Sequence, residues 1–395
     1  MGKYDFDKKI DRSASWSEKW NVRENELPMW VADMDFEVAP EIRDSLSKRL
    51  SEGVYGYSFV PDEWYSAYIS WWKIRHHLKI KKEELVFSTG VIPTVSSAVR
   101  KFTTPNENVL ILSPVYNVFY NCIKNNGARV LESRLIEKDG RFEIDFSDLE
   151  KKLSDPQTSL LLFCNPHNPT GRIWTKEELE KVGGLCKKHG VIVLSDEIHC
   201  DIADPGKEYV PFASASDICR EISITAIAPS KAFNMAGMNS SAVFSSNSIL
   251  RHRIWRQLNT DECGEPGYLA ITAAIAAFTK GSDWLDEMNK YVYDNKLFAE
   301  DFIRENIKDV DLIHSEATYL IWLDCSRITK GRDDLAGFIR ANTGLFVSKG
   351  EIYGSGGEGH LRINLACPRE TVVDGMERLK KGIEMYVQKI QRDKR

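Results

Sequence analysis

The sequence predicts an α/β protein built on a mostly parallel sheet flanked by helices. Short apolar runs recur along the chain, and each ends at polar or turn residues: "ELVFSTG" (84–90), "NVLILSPVY" (108–116), "SLLLFCNPHNPTG" (159–171), "VIVLSDEIH" (191–199) and "ISITAIAPSK" (222–231). Runs of this length without polar alternation are typical of strands buried on both faces. Helical patterns such as "KEELEKVGGLCKKH" (176–189) lie between the runs, and this alternation indicates a parallel sheet.

The length of the chain predicts two packed regions. With 395 residues it exceeds a typical single domain. The strand-like runs fall within the middle of the sequence, whereas both ends lack them. We therefore expect a large domain over residues 46–284 and a smaller α/β domain built from residues 1–45 and 285–395.

Composition excludes several classes of protein. The net charge of −5 argues against a nucleic-acid-binding surface, and no apolar stretch approaches the roughly 20 residues of a membrane helix. The eight cysteines are scattered without a C-x-x-C pair, which favours reduced thiols over disulfides or a structural zinc. The first residues are too charged for a secretory signal. We expect a soluble cytoplasmic protein with no nucleic-acid or membrane partner.

Polar residues stand at the ends of the predicted strands. Ligands of open parallel sheets bind beyond the carboxyl ends of the strands. The residues at those ends are Thr89, Gly90, Tyr116, Asn168, Asp196, His199 and Lys231. They are the first candidates for a functional site.

Lys231 is the most unusual of these candidates. From Ile222 to Leu250 it is the only residue that can carry a charge. A buried, unpaired ammonium is costly, so such a lysine is paired, neutral or covalently occupied. A desolvated amine is also nucleophilic toward an aldehyde. The alternative is a lysine that reaches a loop carboxylate or solvent.

Asp196 and Gly90 suit the two ends of a charged ligand. A carboxylate after an apolar strand needs a cationic partner, such as a protonated ring nitrogen, unless it caps a helix. "STGVIPT" (88–94) places Gly90 before a predicted helix with Pro93 in its first turn, and free N–H groups there suit a phosphate. Many βα turns share this second pattern.

Three further residues complete the candidate set. In "NPHNPTG" (165–171) the amide of Asn168 can donate to a phenolate-type oxygen, unless the segment is merely a tight turn. Tyr116 can stack on a planar ring or serve in packing. Arg362, inside the strand-like "HLRINLA" (360–366), suits a carboxylate, or else a salt bridge to a helix.

Two other patterns do not support a site. "GSGGEG" (354–359) matches a dinucleotide-binding motif, but it precedes a predicted strand instead of following one. "KIRHHLKIKK" (73–82) contains adjacent histidines, which point in different directions on a helix. We expect a solvated basic face there and no metal site.

Taken in order, these residues resemble a fold-type I pyridoxal-phosphate enzyme of the class I/II aminotransferase group, over nearly the whole chain. The resemblance implies that Lys231 binds the cofactor covalently and that Asp196 pairs with the pyridine nitrogen. It further implies ring contacts from Asn168 and Tyr116, with Arg362 taking the substrate α-carboxylate. The remaining cofactor-binding positions it implies are Gly90, Val91 and Ile92 around the phosphate, and His199 near the ring hydroxyl.

The resemblance also implies a homodimer, because an aromatic residue of the neighbouring subunit usually reaches the phosphate in this fold. Tyr57 is the matching position. Two positions depart from the aminotransferase pattern: Ala228 replaces a usual Ser or Thr, and Asn239 replaces a phosphate-binding Arg. Phosphate binding is therefore expected to depend on Ser230 and Tyr57.

Within that group, "WVADMDF" (30–36), "YGY" (55–57), "DEIHCD" (196–201) and "APSKAFNMAG" (228–237) resemble the carbon–sulfur β-lyase branch of cystathionine β-lyases and cysteine desulfhydrases. The resemblance implies release of thiol, pyruvate and ammonia from L-cystathionine or a related L-cysteine derivative. An aminotransferase of L-amino acids uses the same residues and remains an alternative. A pyridoxal-phosphate-binding regulatory protein is a third reading.

Overall fold

The computed structural model describes residues 2–329 and 334–393. Its described residues form the alternating α/β pattern that the sequence predicts. The strands are β1 (Leu27–Pro28), β2 (Leu85–Ser88), β3 (Asn108–Ser113), β4 (Arg129–Arg134), β5 (Ile136–Lys138), β6 (Arg141–Glu143), β7 (Thr158–Cys164), β8 (Ile192–Asp196), β9 (Ser223–Ile227), β10 (Ser241–Phe244), β11 (Asp311–Leu312), β12 (Leu320–Asp324), β13 (Leu345–Phe346), β14 (Ser348–Lys349) and β15 (His360–Asn364).

Helices connect and cover these strands. They are α1 (Pro40–Leu50), α2 (Asp62–Arg75), α3 (Val91–Phe102), α4 (Val118–Asn125), α5 (Phe146–Leu153), α6 (Lys176–His189), α7 (Phe212–Ala215), α8 (Asp217–Ile222), α9 (Ser248–Thr260), α10 (Ala270–Lys280), α11 (Ser282–Asn306), α12 (Ser326–Thr329), α13 (Leu335–Thr343) and α14 (Arg369–Asp393). In helix α6, residues next to each end define where the helix begins and ends. Thr175 and Glu178 form a capping box at its start, and Gly190 ends it at a φ of 71°.

A seven-stranded sheet in the order β2-β10-β9-β8-β7-β3-β4 forms the centre of the molecule. The five predicted runs correspond to β2, β3, β7, β8 and β9, which confirms the fold class. Strand β10 is antiparallel to both of its neighbours, and every other pairing in the sheet is parallel. The sequence analysis missed β10 and the charged strand β4, which lies at the sheet edge and is only partly buried.

Both faces of this sheet are covered, which explains the uninterrupted apolar runs. On β7, Leu160 and Leu162 pack with residues of α3, α4 and α9. Leu161 and Phe163 point the other way and pack with residues of α5, α6 and α8. Because successive side chains enter two different cores, polar residues have no place in the strand.

A four-stranded sheet in the order β11-β12-β15-β14 brings Arg362 into the centre of the protein. The N-terminal and C-terminal parts of the chain also meet, because β1 pairs in parallel with β13 through Leu27 and Leu345. Helices α1 and α11 run through the two expected domain boundaries. The division at residues 45/46 and 284/285 stays a prediction.

The expectation of a solvated face at 73–82 is wrong for His76. Helix α2 ends at Arg75, and the chain turns so that the His76 side chain is 7% exposed. Its Nε2 lies 2.8 Å from Asp201 Oδ1, an acceptor that also receives the Trp71 indole N–H. The helix end therefore directs this histidine inward, which no local pattern revealed.

Three further observations concern the motif at 354–359, the cysteines and the helices. The segment 354–359 leads into β15, so it precedes a strand, whereas a dinucleotide-binding motif follows one. All eight cysteines have free thiols. Within residues 2–329 and 334–393, no helix combines the length and apolar character needed to cross a membrane.

Candidate functional site

A cavity of about 200 Å³ lies at the carboxyl ends of β7 and β8. Nine of the eleven residues that the resemblance places in the site line it, and Thr89, a candidate from its position alone, lines it as well. The nine are Gly90, Val91, Ile92, Tyr116, Asn168, Asp196, His199, Ser230 and Lys231. The other two, Arg362 and Tyr57, do not line it. The convergence follows from parallel strands, whose carboxyl ends meet at one edge.

Lys231 follows β9 and extends its amine into the protein, with part of the side chain open to the cavity. Its Nζ donates a hydrogen bond to the main-chain oxygen of Ala32 at 2.6 Å. Desolvation lowers the pKa of Lys231 to about 8, against the opposing charges of Asp33 and Asp196 and with the help of Arg362. The amine therefore loses its proton far more readily than an ordinary lysine, although a pKa of about 8 still leaves it mostly protonated at pH 7.

Asp196 ends β8 and is 3% exposed. Its Oδ1 accepts the main-chain N–H of Ile198 at 3.1 Å. Burial raises the pKa of Asp196 to about 6. Within the described residues its carboxylate forms no ion pair, so this buried acid lacks the cationic partner that such groups require.

Gly90 and the start of α3 offer main-chain donors at the other side of the cavity. Gly90 precedes the helix, and no side chain caps the first turn. The N–H groups of Val91 and Ile92 therefore have no side-chain acceptor among the described residues, which suits an anion, and their role at a phosphate stays a prediction. Ser230 and Ser240 also line this cavity.

Arg362 lies in β15 and is 5% exposed. Its Nη1 donates to Asn168 Oδ1 at 3.1 Å, and its Nη2 donates to the Trp30 oxygen at 2.8 Å. The buried Nε has no hydrogen-bond partner among residues 2–329 and 334–393. With Asn168 Oδ1 occupied in this way, the amide nitrogen of Asn168 remains as a donor for a ligand.

Tyr116 and His199 supply the aromatic part of the cavity. Burial raises the pKa of Tyr116 to about 12, so its hydroxyl stays protonated. Burial also lowers the pKa of His199 to about 3, so the imidazole is neutral. His199 Nδ1 is buried and has no hydrogen-bond partner in the part of the chain that the structure describes.

Tyr57 is not part of this cavity within one protomer. Its side chain is 103% exposed, and its neighbours Val54, Tyr55 and Phe59 are exposed as well. The role assigned to Tyr57 through a second subunit stays a prediction.

Sequence reasoning missed Ala32, Cys164 and Ser240, which also line the cavity. Ala32 comes from the segment 30–36, whose sequence was noted only for its resemblance. Nothing in the local sequence of Cys164 or Ser240 distinguishes it from other buried residues. Asn239, noted where relatives carry an arginine, lies at the cavity with a φ of 49°.

Comparison with known proteins agrees with this geometry. Residues 24–379 match the family model of class I and II aminotransferases. The chain belongs to this family. Cystathionine beta-lyase PatB of Bacillus subtilis is 40% identical over 384 residues, covering 96% of this chain and 99% of that protein.

Two solved structures extend the likeness to three dimensions. Cystalysin from Treponema denticola, whose crystal structure contains pyridoxal 5'-phosphate, has a TM-score of 0.93 and 36% identity, covering 96% of this chain and 99% of that one. The pyridoxal-phosphate-bound C-S lyase from Staphylococcus hominis has a TM-score of 0.91 and 35% identity, covering 96% and 98%. The overall fold is therefore that of fold-type I aminotransferases.

Proposed function

We propose that the chain is a pyridoxal-phosphate-dependent carbon–sulfur β-lyase that acts on L-cystathionine or a related L-cysteine derivative. The observation that carries the proposal is one cavity lined by a lysine of lowered pKa and by a buried carboxylate that forms no ion pair among the described residues, with Arg362 hydrogen-bonded to Asn168 of the same cavity. Full-length similarity to a cystathionine beta-lyase and to C-S lyases supports the choice of reaction.

The residues present fit the cofactor. Asp196 is a buried acid that lacks a cation, and a protonated pyridine nitrogen would supply one. His199 Nδ1 is buried without a partner beside the cavity. The uncapped start of α3 would hold the phosphate through the N–H groups of Val91 and Ile92.

Lys231, Asp196 and Tyr116 would each have a separate role in the reaction. Bound pyridoxal phosphate supplies the ring that accepts electrons from the substrate α-carbon. Lys231 Nζ would take the α-proton as a general base, for which a pKa of about 8 is well suited. Asp196 would hold the proton on the ring nitrogen, and Tyr116 would pack against the ring.

Arg362 would bind the substrate α-carboxylate. Its guanidinium is positioned by Asn168 and Trp30 before any substrate arrives, and its Nε still lacks a partner. A preorganised guanidinium binds a carboxylate with two parallel hydrogen bonds. This contact would orient the α-proton toward Lys231.

The reaction balances with water as the only co-reactant. Lys231 removes the α-proton, the Cβ–S bond breaks, and the sulfur leaves with the electron pair and then a proton. Water completes the conversion of the remaining three-carbon unit to pyruvate and ammonia. Transamination is the second candidate, because the matching family model is one of aminotransferases.

Incubating the loaded enzyme with L-cystathionine, without a keto acid, separates the two candidates. We expect sustained release of thiol and pyruvate over many turnovers, and none from Lys231→Ala. A single conversion of the cofactor that stops until a keto acid is added would identify an aminotransferase and contradict the lyase proposal.

We also propose a cytoplasmic homodimer with shared active sites. The free cysteines and the exposed aromatic segment around Tyr57 support this. Lys231→Ala and Tyr57→Ala subunits would each be inactive alone, but their mixed dimers would contain one intact site. Activity that returns on mixing supports the proposal, and continued inactivity of verified mixed dimers contradicts it.

A further inference from the structure

Two sequence motifs that lie about 200 residues apart form one hydrogen-bonded unit. "WVADMDF" (30–36) runs beside the loop that contains "APSKAFNMAG" (228–237). Lys231 of the loop donates to the Ala32 oxygen at 2.6 Å. The proposed reaction uses Lys231, but from the segment 30–36 it uses only the Trp30 oxygen that positions Arg362.

Asn234 joins the two motifs by three hydrogen bonds. Its Oδ1 accepts the Met34 N–H at 3.0 Å. Its Nδ2 donates to the Met34 oxygen at 3.0 Å and to the Phe36 oxygen at 2.9 Å. The backbone of Asn234 is left-handed, with a φ of 53°, a conformation that asparagine tolerates better than most residues. The side chain thus holds the segment just beyond Ala32.

A second asparagine, Asn364, holds the main chain on both sides of the Ala32 carbonyl. Asn364 Nδ2 donates to the oxygens of Val31 and Asp33, both at 2.6 Å. The Ala32 oxygen between them accepts the Tyr319 hydroxyl at 2.9 Å in addition to Lys231 Nζ. Both lone pairs of this oxygen are therefore used.

A main-chain carbonyl is a suitable partner for a lysine that must act as a base. A neutral amine has two N–H donors and one lone pair. When one N–H is held by the Ala32 oxygen, the direction of the lone pair is restricted. A carboxylate in the same place would favour the ammonium form, whereas the neutral carbonyl does so far less.

The nearest acid of the segment is occupied elsewhere. The Asp33 carboxylate accepts hydrogen bonds from Arg12 at 3.0 and 3.4 Å. Arg12 also donates to Asp35, which is bonded to the buried Lys19 at 2.7 Å. These contacts leave the Ala32 carbonyl, and not Asp33, as the hydrogen-bond acceptor of Lys231.

We propose that Asn234 is a positioning residue that holds the Ala32 carbonyl where it orients the free amine of Lys231 for proton transfer. The inference rests on the proposed role of Lys231 as the base, but not on the choice between lyase and aminotransferase. It also accounts for the joint presence of the two motifs, because each supplies one half of the contact.

Asn234→Gly tests the proposal with little risk to folding. Glycine adopts a positive φ readily, so the variant removes three hydrogen bonds without adding backbone strain. Asn106→Gly is the matched control, because Asn106 is exposed, distant in sequence from both motifs and also has a positive φ of 75°. L-Alanine is a suitable probe, since it has an α-proton but no leaving group.

The measurement is exchange of the L-alanine α-proton in D₂O by the loaded enzyme, together with amide exchange of residues 30–36. We expect Asn234→Gly to lower kcat for α-proton exchange by about 10- to 100-fold with KM within about twofold, because misorientation at this scale affects proton transfer more than binding. Amides in 30–36 would exchange faster. Asn106→Gly would change neither quantity.

The outcomes separate this inference from the proposed function. If wild-type enzyme exchanges the α-proton and Asn234→Gly does so with a kcat within about twofold of it, the positioning role is wrong, whatever the amide exchange shows. If kcat and KM change together with a general loss of thermal stability, the role is structural, which also overturns the inference. A wild-type enzyme that exchanges no α-proton overturns the proposed function and this inference with it.

Discussion

Asp196→Asn is expected to stabilise the cofactor-free protein while it impairs the loaded enzyme. Asp196 is 3% exposed, and burial raises its pKa from the ordinary 3.8 to about 6. A carboxyl whose pKa is raised in the folded state does not reduce the free energy of unfolding at a pH where it is protonated in both the folded and the unfolded protein. The reduction grows as the pH rises from about 4 to about 6, and it is fully present at pH 7.

The size of the effect follows from these two values. The pKa difference of about 2.2, at about 1.36 kcal/mol for each pH unit, gives an upper limit of about 3 kcal/mol at pH 7. Asparagine keeps an oxygen that can accept the Ile198 N–H, so the one hydrogen bond to this side chain is retained. The variant would therefore gain up to about 3 kcal/mol at pH 7, and much less at pH 4.

Urea unfolding of the cofactor-free chain at pH 4, 5, 6 and 7 measures this gain. Asp44→Asn is the control, since the Asp44 side chain is 77% exposed and its free energy of unfolding should change by less than about 0.5 kcal/mol. The loaded Asp196→Asn enzyme should lose turnover, because the amide cannot hold a proton on the ring nitrogen as a carboxylate does. A variant less stable than wild type at pH 7 would refute the reasoning.

Two further predictions concern charged side chains. Arg362→Lys keeps the charge but loses the planar fork, so kcat/KM for L-cystathionine should fall roughly 10- to 100-fold, mainly through KM, as expected for the loss of one charge-assisted hydrogen bond. Arg340→Lys is the control, because it alters a partly exposed pair with Glu26 and should leave kcat/KM within about twofold. An unchanged KM for Arg362→Lys would exclude the proposed binding of the substrate carboxylate by Arg362. Lys19→Met removes the 1%-exposed cation bound to Asp35, while Arg12 and Trp20 keep their hydrogen bonds to that carboxylate, so it should cost about 1.5–3 kcal/mol in urea unfolding. Lys82→Met, in an exposed pair, should cost no more than about 1 kcal/mol, and equal losses in both variants would contradict the assigned difference in burial.

Local sequence was sufficient for elements whose signal is local. The five apolar runs became strands because both of their faces are buried, and the helical pattern at 176–189 has the same bounds as α6, whose capping residues Thr175, Glu178 and Gly190 lie close to it in the sequence. Strand β4 was missed because its edge position admits arginine and glutamate. Strand β10 was missed because "SAVF" (241–244) is too short to distinguish from a loop.

The candidate site was predictable to the extent that strands deliver residues to one edge. Nine of the eleven predicted residues line one cavity for that reason. Ala32 was not predicted, because a main-chain carbonyl carries no side-chain signal. His76 was placed in solvent because only the turn after α2 directs it toward Asp201.

By itself, the sequence determined the α/β order, the isolation of Lys231 among neutral residues and the acid at the end of β8. These features depend on composition and spacing within a few residues, which the chain states directly. Only the tertiary structure decided that Lys231 bonds the carbonyl of Ala32, 199 residues away, and that Arg362 bonds Asn168, 194 residues away. Such contacts depend on how segments far apart in the sequence pack against each other, and no local pattern encodes that packing.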